Sequence, residues 1–426
     1  MSNPGWRPPG RPRVRHGYYT GGPLVGDFYG LSHEAAIMES GVRQVFTPHQ
    51  PVQPGEELAG RKREVRKLVE VLNTPGQHAL LYGDRGVGKS SLANVVSHAF
   101  RQAAGRDYFV KRCDHTDTFE SIFRDPLAAV GVDVLRVEYV TQEITTRKAE
   151  VAAFDVLTAG RERQHGQSTT YRPEGTMGAS EAARHLAGLS GFMLIDELDG
   201  VGDPVARRKV AELIKQLSDL GSAFKLLLVG IAETATDLTG AHPSVQRSLR
   251  ETKLHLMAEE TLRNIIARGA HRLGLSFDDD VMTAIARLSA GYPHFTHLLA
   301  LKCAENAIRN GQRRVEPSDL PLAMTIAVED AEGTLRQAYH SGVRASAEGH
   351  RAVLTAAASL DGIEFTTAQL RDALPPALNP AGPLRRLVSD DGATILRRTT
   401  KGVYRFSDPR MRSYIRIIHL MIDPIG

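Results

Sequence analysis

Two cysteines and one tryptophan in 426 residues are scarcities that each exclude something. Cys113 and Cys303 lie far apart and form no C-x-x-C pair, so neither a disulfide framework nor a zinc ribbon is expected. That usage fits a reducing compartment, and the cytoplasm is the expected one. No run of 18 apolar residues occurs, so no membrane-spanning helix and no membrane partner are predicted. The opening MSNPGWRPPGRPRVRHG lacks an apolar stretch and is not read as a secretory signal. Acidic residues are missing from the first 20 positions, where Arg7, Arg11, Arg13 and Arg15 carry a charge equal to the +4 of the whole chain. The remainder is balanced, so attraction to an anionic partner must come from this arm or from local patches.

What is present is ordinary globular material, 42% hydrophobic and 24% charged, at a length that implies two or three domains. Residues 1–30 are rich in Pro, Gly and Arg and read as a flexible basic arm. Helical spacing in LAGRKREVRKLVEVL (58–72) is followed by a predicted strand at 78–82. Further strands are predicted at 107–113, 191–197, 223–230 and 252–257, with helices between them. Buried strands alternating with helices predict an α/β fold around a parallel sheet, taken here as 31–257. TAGRERQHGQSTTYRPEGTMGAS, within 140–180, reads as a polar surface loop. Residues 258–342 contain four helical segments, an all-α lid. In 343–426, two helices are expected to flank TTAQLRDALPP. ILRRTTKGVYRFSD reads as two strands joined at a Lys-Gly turn, so the last region is expected to be winged-helix-like.

The chemistry sits in LLYGDRGVGKSSL (80–92). Gly83, Gly86, Gly88, Lys89 and Ser90 fit G-x-x-x-x-G-K-[ST], and a strand before and a helix after are the setting that pattern needs. The glycines let backbone N–H groups turn around phosphate oxygens, and the helix presents its positive end. Asp84, Arg85, Val87 and Ser91 complete the expected ATP-binding loop. Lys89 is expected on the β- and γ-phosphates and Ser90 on Mg²⁺. FMLIDE supplies the other half. Asp196 is expected to hold Mg²⁺, and Glu197 to orient and deprotonate the attacking water.

With Gly60, Arg61 and Glu64 as a GR-x-x-E lead-in, these motifs and the helical lid resemble an AAA+ ATPase. With its tail the chain is similar to the origin-recognition-like branch and to the related ATPases of transposition and bacterial defence, over about 370 residues. The resemblance implies ATP and Mg²⁺ as cofactors, Arg61 near the nucleotide, and a homo-oligomer. It implies a polar sensor after the fourth strand, with Thr234 or Glu233 as the candidate. It also implies an arginine reaching a neighbouring subunit, for which Arg247 and Arg250 are candidates unless both form surface ion pairs. Many relatives carry an arginine in the lid helix after G-x-P, whereas GYPHFTHLL has His294 and His297. Packing or a weak nucleotide sensor is preferred for that pair over a metal site.

For purpose, two readings stand. The first is a nucleotide switch controlling self-assembly and the binding of double-stranded DNA or a partner protein. Arg385, Arg386, Arg397, Arg398, Lys401 and Arg405 are candidates for DNA contact, with contact to a protein weighed equally. The arm, with Trp6, Tyr18 and Tyr19 as stacking groups, is a candidate nucleic-acid contact beside the preferred reading as a solvated tail. The second is a defence or signalling scaffold that oligomerises with ATP and recruits an effector protein without DNA.

Overall fold

A computed structural model describes residues 41–51, 58–101, 107–132, 177–231, 238, 245–330, 333–343, 347–388 and 395–422. The arm, most of the 140–180 loop, and both Glu233 and Thr234 lie outside the described residues.

Five parallel strands form the central sheet in the order β2-β3-β4-β1-β5. They are β1 (His78–Gly83), β2 (Asp107–Arg112), β3 (Gly191–Asp196), β4 (Lys225–Gly230) and β5 (Leu249–Leu254). In β3 and β4 every residue is buried, and alternate side chains serve opposite faces. Phe192, Leu194, Leu227 and Val229 enter one apolar cluster, while Met193, Ile195, Leu226 and Leu228 enter the other. Helices α1 (Lys62–Asn73) and α2 (Lys89–Arg101) cover the first face. On the second lie α3 (Phe119–Ala129), α4 (Ala179–Leu186) and α5 (Pro204–Asp219). A short turn of helix, α6 (Val245–Ser248), leads into β5.

β5 begins at Leu249, three residues before the predicted 252. Its first residues pair in register with β1, His78 opposite Leu249, but Arg250 and Glu251 face solvent. An edge strand buried on one side offers no continuous apolar run to detect.

The lid comprises α7 (Glu259–Leu273), α8 (Asp279–Ser289), α9 (Pro293–Arg309) and α10 (Leu320–Glu329). A two-residue parallel pairing of β6 (Ser276–Phe277) with β7 (Arg314–Val315) staples it. Residues 318–342, expected as one helical segment, divide instead into α10 and a separate α11 (Gly333–Val343). Leu335, Tyr339 and Val343 of α11 pack with the C-terminal cluster.

The C-terminal unit contains α12 (Ala347–Ser359), β8 (Glu364–Thr366), α13 (Thr367–Asp372), α14 (Ala381–Leu387), β9 (Leu396–Thr400), β10 (Val403–Phe406) and α15 (Met411–Ile422). The hairpin is where the Lys-Gly turn placed it, and the antiparallel sheet runs β8-β10-β9. Within TTAQLRDALPP, expected between two helices, Thr367–Asp372 is itself helical. Thr366 caps α13 by accepting from Gln369 N–H, and the Gln369 side chain returns the bond, so a polar stretch becomes a helix start.

Both cysteines are buried and unpaired. Burial, with Asp117 second, pushes the Cys113 thiol up to about 12, and burial likewise raises Cys303. Among the described residues no helix is long and apolar enough to cross a membrane.

Candidate active site

β1 ends in a turn that only this sequence of glycines permits. Gly86 and Gly88 sit at φ 81° and 95°, in the region that residues with a Cβ rarely adopt. They carry the chain from the sheet edge into α2, whose first residues are Lys89, Ser90 and Ser91. Lys89 curls back over the loop, its Nζ donating to Gly83 O at 3.0 Å and Asp84 O at 2.9 Å. Burial lowers the Lys89 pKa, opposed by Asp199, Asp196 and Asp84 in that order. Val87 is in the core, so its contribution to the loop is backbone; Arg85 is exposed.

Arg61 braces this loop from behind. Its Nη2 donates to Val87 O at 3.3 Å and to His255 O at 2.6 Å, while Nη1 meets Glu64 at 3.2 Å. A 5% exposed guanidinium thereby ties the lead-in segment, the loop and the end of β5 together.

β3 delivers the acidic pair. Asp196 is 5% exposed, and its Oδ1 accepts from Glu197 N–H at 2.9 Å. Glu197 stands exposed at φ 57°, ψ 36°, a left-handed conformation unusual for a side chain with a Cβ. Such backbone costs on the order of 1–3 kcal/mol. The chain then makes a short 3₁₀ turn, Leu198–Gly200, which returns Asp199 toward Lys89. Sequence reasoning missed Asp199; the third residue after Asp196 in the same DELD run was its only signal.

Between loop and lid lies a cavity of about 1090 Å³. Arg61, Lys89, Arg268, Arg272 and Arg410 line it, and among the described residues no carboxylate does, so this lining suits an anion. Leu58, Met257, Ile265 and Pro293 give it an apolar side. On α7, Gly269 lets Phe46 approach to a distance at which a Cβ would clash, 2.4 Å from Cε1.

His294 and His297 close this end. His297 Nδ1 accepts from Thr47 N–H at 3.2 Å, and His294 Nδ1 lies 2.7 Å from Pro48 O. Burial, then His294, lowers the His297 pKa to about 4, so the ring is neutral and serves as an acceptor. Among the described residues no group of three or more His, Cys, Asp or Glu forms a metal cluster. The pair fastens 47–48 to the lid.

Arg247 and Arg250 are both exposed and away from the cavity of their own chain. Arg385, Arg386, Arg397, Arg398 and Lys401 are exposed as well. Arg405 is a correction. Expected on a DNA-facing surface, it turns inward to Asp84 of the phosphate loop at 2.6 Å, with 14% of its side chain exposed.

The family model for the AAA ATPase domain matches residues 57–279. Among curated proteins nothing matches. The fold is similar to that of a Walker-type ATPase of Pyrococcus abyssi, at 19% identity and a TM-score of 0.50, covering 87% of this chain and 99% of that one. It is also similar to the Cdc6p structure from Pyrobaculum aerophilum, at 13% identity and a TM-score of 0.47 over 90% of this chain and 99% of that one. An Aeropyrum pernix ORC1 protein in complex with DNA matches at 19% identity and a TM-score of 0.45, over 90% and 96% of the two chains.

Proposed function

The chain belongs to the AAA ATPase domain family and is an ATPase, and from that premise we propose a nucleotide-dependent switch whose state controls self-assembly and DNA binding. The observation that carries this reading is the cavity itself, lined among the described residues by Arg61, Lys89, Arg268, Arg272 and Arg410 and by no carboxylate, around a glycine loop, with Asp196 at the end of β3 and Glu197 next to it.

In this reading Lys89 exchanges its two loop carbonyls for phosphate oxygens, a trade favoured by charge. Ser90 and Asp196 offer hard oxygens of the kind Mg²⁺ accepts, and two protein ligands suffice because phosphates supply others. Mg²⁺ bound there would neutralise charge developing on the transferred phosphoryl group. Glu197, exposed and aimed by its backbone, accepts the proton of the attacking water. Asp199 opposes part of the burial that lowers the Lys89 pKa. Arg247 or Arg250, exposed beside the edge strand, reaches the site of a neighbouring copy, and we propose one of them as the trans-acting arginine.

The DNA face is assigned to Arg385 and Arg386 on α14 and to Arg397, Arg398 and Lys401 on the hairpin, all exposed. Helices with a basic hairpin beside them support a winged-helix reading of the C-terminal unit, and the arm is a second candidate contact.

ATP turnover measured with and without duplex DNA, across protein concentrations and at two salt levels, tests the proposal. Stimulation by DNA that weakens with salt is expected, since the contacts are to phosphates. Turnover that rises with protein concentration but ignores DNA removes the DNA half. Lys89→Ala is expected to lose nucleotide binding and Glu197→Gln to bind ATP without hydrolysing it; unchanged turnover in Glu197→Gln removes that residue from the mechanism. An Arg247→Ala or Arg250→Ala chain mixed with Lys89→Ala is expected to regain activity if the site is shared.

A further inference from the structure

One wall of the nucleotide cavity comes from a part of the chain that the family match does not reach. Arg410 lies between β10 and α15, yet it lines the same cavity as Gly86, Gly88, Lys89 and Ser90. A Cβ added to Gly86 would come within 3.5 Å of Arg410 Cγ and of Tyr292 Cδ1, so the arginine stem packs directly over the loop backbone. Asp408 orients its guanidinium, with Nε at 3.1 Å from Oδ1 and Nη2 at 2.8 Å from Oδ2. This carboxylate is part of the same short turn and fixes the arginine's direction.

Five residues earlier, Arg405 Nη2 donates to Asp84 Oδ1 at 2.6 Å. Asp84 is the residue after Gly83 in the glycine loop, so this ion pair couples the hairpin to the phosphate site across 321 positions of sequence. Both partners are 14% exposed, where a pair is screened far less than on the surface. Asp84 Oδ2 and Arg405 Nε are buried and have no hydrogen-bond partner among the described residues. The pair is thus a single bond between two forks able to make two, and an adjustment of the loop has a second bond to gain or lose. Arg412, 4% exposed, adds a third arginine to this segment, and its Nη2 also lacks a partner among the described residues. Arg405 and Arg410 thus meet the loop from one short segment, each held by a carboxylate, Asp84 and Asp408.

We propose that Arg410 is a phosphate-binding residue of the nucleotide site, delivered in cis by the C-terminal unit, and that the Asp84–Arg405 ion pair is the latch that keeps it there. The inference rests on the reading of the glycine loop as the nucleotide site. Coupling of this kind is reciprocal: the factor by which docking strengthens ATP binding is the factor by which ATP strengthens docking.

The test uses the full chain and equilibrium binding of a fluorescent ATP analogue, joined to hydrogen exchange of amides 396–406. Arg410→Ala is expected to bind the analogue about tenfold more weakly or worse, the usual scale for a charged hydrogen bond to phosphate. Arg410→Lys restores part of the loss. Asp84→Asn and Arg405→Gln each weaken binding, and the double variant binds no more weakly than the weaker single one. In the unaltered chain the analogue slows exchange across the hairpin, and Asp84→Asn removes that slowing. Circular dichroism identifies folded variants; if Arg410→Ala does not fold, Arg410→Lys and the exchange of the unaltered chain decide. Affinity within about twofold in folded Arg410→Ala, or hairpin exchange indifferent to the analogue, overturns the inference. Lys89→Ala separates the two readings. If it abolishes binding while Arg410→Ala does not, the site stands and this inference falls; if it binds normally, both fall.

Discussion

The ATPase core and the C-terminal unit are each held internally by apolar packing, but the joint between them is largely polar. In the core, β1, β3 and β4 send alternate residues into two clusters on opposite faces of one sheet. The C-terminal unit has its own cluster, with Leu354, Phe365, Leu370, Leu396 and Tyr414 among its members. Across the joint run Arg405 to Asp84, Ser413 Oγ to Ser289 O at 2.8 Å, and Arg416 Nη1 to Arg287 O at 2.8 Å. Among the described residues Ile417 and Leu420 of α15 also join the core's cluster, and Val328 of α10 packs against both clusters. Opening an apolar interior exposes its area all at once, whereas polar bonds are exchanged for water at small net cost. Movement of one unit against the other is therefore the cheap motion of this molecule.

The sharpest way to test that contrast is to damage each interior. Leu228→Ala in the core and Leu354→Ala in the C-terminal unit, both fully buried, are expected to cost about 2–5 kcal/mol each. Urea unfolding followed by two probes, one per unit, is expected to show each loss in its own transition. A single shared transition would mean the joint is as strong as the interiors.

Acid is expected to weaken the core next. Burial, with Lys225 second, holds His78 at a pKa of about 3, and burial with His294 holds His297 at about 4. Both values lie below the unfolded 6.5, so unfolding takes up protons and stability falls as pH drops from 6.5 toward 4. Each histidine contributes on the order of 1 kcal/mol per pH unit over that window. Unfolding free energies that stay flat between about pH 7 and 5 would contradict neutral buried rings.

At the joint, Ser413→Ala removes one buried hydrogen bond and is expected to cost about 1 kcal/mol, visible by denaturation, with the strands of the core sheet undisturbed. Smallest is Arg398→Gln on the exposed hairpin face, within about 0.5 kcal/mol in stability. On the DNA-binding reading proposed above, its effect is expected instead as a salt dependence of duplex binding lower by about one in slope.

The parts of this architecture visible from sequence are those where chemistry fixes residue type locally. A glycine loop before a lysine, and an apolar strand running into Asp196-Glu197, are legible because each pattern is complete within a few consecutive residues. β3 and β4 are equally plain, since strands buried on both faces are apolar throughout. The start of β5 is hidden by its outward Arg250 and Glu251, which is why its predicted position falls late. Asp199 is brought to Lys89 by a three-residue turn that periodicity does not reveal. Arg405 carries the right charge for an exposed basic hairpin, and nothing in the local pattern shows that its partner is Asp84. Arg410 escapes for the same reason: contacts across hundreds of residues leave no local trace in a single sequence.

The buried thiols make this chain convenient in a way unrelated to its chemistry. Cys113 and Cys303, hidden and held as neutral thiols, are expected to ignore maleimide dyes at neutral pH. Lys401→Cys, at the exposed hairpin tip, would then be the sole labelled position, with no native cysteine removed beforehand. A single fluorophore there would report any movement of the C-terminal unit as an optical signal timed against nucleotide addition.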